Sequence, residues 1–72
     1  NIIMIKFAVT LTKGDNRKVL EVCDTKEQAM EKGAEYRKQF SMDSGILSCI
    51  SAEFDENNNR TDKKYNLIHS WI

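Results

Sequence analysis

The chain has 72 residues, with 11 basic and 11 acidic side chains balancing to zero net charge, two cysteines and no proline. A chain this short forms one domain at most and buries only roughly 60% of its unfolded surface. Zero net charge argues against bulk electrostatic attachment to DNA, RNA or an anionic membrane. No apolar run approaches the ~20 residues needed to cross a bilayer.

The apolar start, Ile2 to Phe7, is interrupted by Lys6. It lacks the basic lead and small-residue cleavage site of a secretory signal. Met4 could be the initiator, with residues 1–3 a cloning remnant, although a fragment of a longer protein fits the sequence equally. Cys23 and Cys49 form no CxxC and have no histidine spaced for zinc. Secreted domains of this size usually carry several disulfides, so buried, reduced thiols in a cytoplasmic protein are expected.

Ile3, Ile5, Phe7, Val9 and Leu11 alternate with Met4, Lys6, Ala8, Thr10 and Thr12. A two-residue period over this length predicts a β-strand. Lys13 to Arg17 supplies residues that tolerate positive φ, and Lys18 to Cys23 reads as the returning strand of a hairpin. Asp24-Thr25 then opens a helix, with capping boxes available as Asp24/Glu27 or Thr25/Gln28. Ala29, Gly33, Tyr36 and Phe40 recur at helical spacing, and the helix should stop near Phe40 or Ser41. Gly33 on that stripe would let the helix approach the sheet closely.

Ser41 to Gly45 is expected to form a loop and Ile46 to Phe54 a third strand. Asp55 to Lys63 reads as a polar turn, and Tyr65 to Trp71 as a fourth strand. The resulting ββαββ order predicts a two-layer α+β domain. Its four-stranded antiparallel sheet should have order 2-1-3-4, with 2-1-4-3 as the rival, and one helix on one face.

One helix is about 10 Å wide and four strands span ~15–19 Å, so the second sheet face is expected to be open. Met4, Ala8, Val19, Cys23, Leu47 and Cys49 are assigned to that face. The fourth strand adds either Tyr65, Leu67, His69 and Trp71 or Ile68 and Ile72, depending on register. Tyr65, Leu67, His69, Trp71, Leu47 and Cys49 are therefore the candidate binding residues. The expectation is a non-enzymatic, protein-binding module with no cofactor, pairing with itself or another protein through this face or the fourth-strand edge. Little between Leu67 and Ile72 would discourage edge pairing, whereas Lys18 and Glu21 guard the second strand.

Three chemical readings compete with it. Asp55, Asn57 and Asn59 match the start of a calcium loop, but Arg60 stands where glycine belongs and Asn66 where a bidentate glutamate belongs. Asp and Asn are ordinary turn residues, and a polar turn is expected. Cys49 and His69 could meet across paired strands as a nucleophile and base, yet no third orienting group or glycine-rich oxyanion loop accompanies them. The last is nucleic-acid binding, through Lys13, Arg17 and Lys18 on one hairpin, Arg60, Lys63 and Lys64 on the other, and exposed Tyr65 or Trp71. The two hairpins fall at opposite sheet ends in the 2-1-3-4 order, so no single basic stripe is expected. No motif carries a family resemblance; the pattern is of a kind common in small bacterial or phage proteins.

Overall fold

The computed structural model describes residues 2–71, together with the backbone but not the side chain of Met42. The expectations placed on Asn1 and Ile72 lie outside the described residues. Within them the chain runs β1 (Met4–Lys13), β2 (Asn16–Cys23), α1 (Lys26–Gln39), a 3-10 turn (Met42–Ser44), β3 (Ile46–Phe54) and β4 (Asn66–Ser70). The sheet has order β2-β1-β3-β4 and is antiparallel throughout, as expected. The two most apolar strands, β1 and β3, are each flanked on both sides.

Local chemistry explains the boundaries. Gly14 takes φ 63° at the β1–β2 turn. Thr25, and not Asp24, caps α1, its Oγ1 accepting the Gln28 amide at 3.1 Å. Glu27 near the start and Arg37 and Lys38 near the end oppose the helix dipole. Gly45 takes φ 129°, and a Cβ there would stand 2.5 Å from the Thr12 carbonyl oxygen. That position closes α1 onto β3, so a side chain there is both strained and obstructed.

Two packed clusters result, one on each side of the sheet. Beneath α1 lie Val9, Cys23, Ala29, Leu47 and Cys49, with Phe7, Leu11, Leu20, Tyr36, Ile68 and Trp71 against them. On the second face lie Ala8, Ile50, Ala52 and Phe54, joined by Val22. This overturns the expected face for β3 and for Cys23. Val9 pairs with Cys49 and Leu11 with Leu47, and opposite partners in an antiparallel ladder share a face. Since α1 covers the Val9 face of β1, Leu47 and Cys49 go under the helix and Ile50, Ala52 and Phe54 go outward.

A bulge in each edge strand shifts the rest. Leu20 is the extra residue between the Val9–Glu21 and Thr10–Val19 pairs, and Ile68 is extra between Cys49–His69 and Ile50–Leu67. Both extra side chains pack into the cluster under α1. Consequently Tyr65, Leu67, His69 and Trp71 do not share one face. Leu67 lies opposite Ile50 on the second face, while Trp71 donates its backbone N–H to Leu47 O at 2.8 Å and packs beneath α1.

Candidate functional site

The second face is not bare. Ala8, Ile50 and Phe54 there have no exposed surface at all. Long side chains and the β3–β4 connection roof it, using apolar stems as cover and keeping charged ends outward. Lys6 lies across the lower end, its Nζ donating to Asn58 Oδ1 at 2.8 Å and standing 3.7 Å from Asp24 Oδ1. Asn58 is held in the turn by φ 63° and by its amide donating to Asp55 O at 3.0 Å.

Arg17 from β2 and Tyr65 from the end of the connection meet over the same face. The Arg17 Cζ stands 4.2 Å from the Tyr65 ring centroid, and its Nη2 donates to the Tyr65 hydroxyl at 2.9 Å. Its Nη1 donates to Thr10 Oγ1 at 3.3 Å. Arg60, from the opposite hairpin, brings its Cζ to 5.5 Å from the same ring and donates from Nη2 to Lys64 O at 3.3 Å. The two hairpins do lie at opposite ends of the sheet, yet one arginine from each converges on one aromatic ring. Sequence spacing carries no sign of this, because Arg17 and Tyr65 are 48 positions apart.

The candidate residues therefore separate. Leu47 is 3% exposed and Cys49 wholly buried, so neither lines an open surface. Trp71 is partly buried, its indole lying over Gly33 and meeting His69 edge to face at 4.8 Å. Only Tyr65, Leu67 and His69 are exposed. Cys49 and His69 are ladder partners, but burial pushes the Cys49 thiol up from its ordinary value, with Cys23 adding to the rise. A catalytic cysteine needs the opposite shift. Cys23 and Cys49 are both free and lie on strands separated by β1. Two strand spacings, about 9–10 Å, exceed the ~7 Å limit between Cα atoms for a disulfide.

The Asp55 carboxylate is engaged in the turn, Oδ1 accepting the Asn57 and Asn59 amides, each at 2.9 Å. This is the local bonding that favours aspartate in turns. Among the described residues no group of three or more His, Cys, Asp or Glu side chains is placed to hold a metal ion, and no helix is long and apolar enough to cross a membrane. A cavity of about 60 Å³ between the end of α1 and the sheet is lined in part by Leu11, Phe40, Leu47 and Trp71. More open clefts of about 360 and 390 Å³ lie beside Lys6 and Asp24 and beside Ile3 and Asp55.

No family model, curated protein or solved structure matches this chain. The functional reading rests on the exposed β4 edge and on the Arg17–Tyr65–Arg60 cluster.

Proposed function

We propose that the protein is a non-enzymatic binding module of the cytoplasm that pairs with a second copy of itself through β4. The observation that carries this is the composition of that edge. Asn66 to Ser70 contains no Asp, Glu, Lys or Arg, and its Leu67 is 60% exposed. Both edge strands carry a bulge, so charge distinguishes them. Edge β2 carries Lys18 and Glu21, whereas β4 presents its backbone with no charged side chain to repel a partner strand. Zero net charge also removes the long-range repulsion between two copies. Antiparallel pairing of two β4 strands would close a twofold dimer with one continuous sheet.

Light scattering over a concentration series tests the reading, with a dimer expected at micromolar protein. Leu67→Lys puts a charge on the edge without touching either buried cluster, and should weaken association about tenfold or more with the circular dichroism unchanged. A strict monomer at several hundred micromolar would end the proposal.

A further inference from the structure

We infer that Arg17, Tyr65 and Arg60 form a binding site for the phosphates of single-stranded nucleic acid. The site is independent of pairing through β4. A guanidinium carries five N–H donors in a fixed fork. Arg17 spends donors on Thr10 and Tyr65, and Arg60 spends one on Lys64 O. The Arg60 Nε is buried and has no hydrogen-bond partner among the described residues. Neither arginine is in an ion pair among the described residues, where the ion pairs are Lys6–Asp24 and Lys32–Glu21.

Of the four carboxylates within seven positions of Arg60, Glu56 is exposed and the other three are occupied locally. Asp55 accepts two turn amides, Asp62 accepts the Lys64 amide at 2.7 Å, and Glu53 accepts the Thr61 hydroxyl at 3.3 Å. Two cations thus share one ring, with spare donors and no paired carboxylate. Their guanidinium carbons are no further apart than the sum of their distances to the ring centroid. Such a pair attracts an anion that can accept several N–H groups at once, and phosphate has the matching geometry.

One further feature favours a nucleic-acid strand over an isolated phosphate. Tyr65 is 43% exposed beside the two forks, and an aromatic ring flanked by cations is what an unstacked base and its backbone require. A duplex is disfavoured because α1, the element that could enter a major groove, packs on the opposite face.

With two phosphates engaged, the logarithm of affinity should fall against the logarithm of salt with a slope of about −1.4, or about sevenfold between 50 and 200 mM. Fluorescence anisotropy with a short labelled oligothymidylate, its duplex, a phosphoserine peptide and inorganic phosphate as competitor tests this. Binding of the single strand with that shallow slope is expected, with the duplex and the peptide weaker. Arg17→Lys and Arg60→Lys keep the charge and the apolar stem but lose the fork, so each should weaken binding about tenfold. Lys38→Gln on the helix should change nothing.

Any of four results would overturn the inference. These are no single-strand binding at about 50 mM salt and millimolar protein, equal duplex affinity, tighter peptide binding, or lysine variants that bind like the parent while remaining folded.

Discussion

Gly33 shows how one residue can be read correctly in kind before its partner is known. A glycine in the middle of a helix gives up as much as ~1 kcal/mol relative to alanine. Here the missing side chain makes room for the Trp71 indole, and a methyl group at Gly33 would overlap three of its ring atoms. Gly33→Ala should therefore be destabilising despite its better helix propensity, by a net of about 1 kcal/mol, because overpacking outweighs the gain. Trp71 is the only tryptophan, so its emission reports directly on the displacement. A red shift with a lower denaturation midpoint is expected, and a more stable variant with unshifted emission would refute the packing argument. Cys49 is the contrasting residue. Its neighbour His69 suggested chemistry, but complete burial makes its thiolate unfavourable, and Cys49 acts as a small apolar core residue.

At the scale of elements, helix α1 follows its local signals closely. Its cap and its buried Ala29 and Gly33 belong to a pattern visible in the sequence, with Tyr36 and Phe40 stacked one turn apart at 6.0 Å. Thr25→Ala should cost about 1 kcal/mol, because the Gln28 amide loses its acceptor while no core side chain changes. Urea denaturation measures the loss, and Thr25→Ser should recover most of it. The edge strands behave differently. Each inserts one extra apolar residue, Leu20 or Ile68, toward the helix, so a strict two-residue alternation fails part-way along both. Bulges are set by how a strand fits its neighbour, and a strand's own alternation does not record that fit.

For the whole molecule, the thin core is supplemented by a second cluster roofed by Lys6, Arg17 and Tyr65. Its titration behaviour follows from burial. Cys49 and Cys23 are both raised from 9.0, chiefly by desolvation, with Glu21 and Asp24 adding to the rise at Cys23 and Lys32 opposing it. Tyr36 is raised from 10.0 by desolvation and by donating its hydroxyl to Glu21 Oε1 at 3.1 Å. Above these ordinary values the unfolded chain has released protons that the folded chain retains. Stability should therefore be intact below about pH 9 and fall as pH rises through the thiol and phenol range. Urea midpoints under reducing conditions at about pH 7.5 and pH 10 check this. A lower midpoint at pH 10 is expected, with a smaller fall in Cys49→Ala, and equal midpoints would contradict it.

By itself, the sequence determined the elements and the ββαββ order, and it favoured the 2-1-3-4 sheet over the rival 2-1-4-3. Periodicity, capping residues and turn chemistry are local, and one helix between two hairpins leaves few arrangements for a short chain. Tertiary structure decided which face each strand presents and what covers it. Leu47 and Cys49 point under the helix because Leu11 and Val9, their ladder partners, do so. Arg17 and Arg60 reach Tyr65 because long side chains from opposite hairpins cross a sheet face that backbone topology alone leaves open. Zero net charge argued against bulk electrostatic attachment, and it concealed this local pair, since a sum over the chain carries no information about where the charges meet.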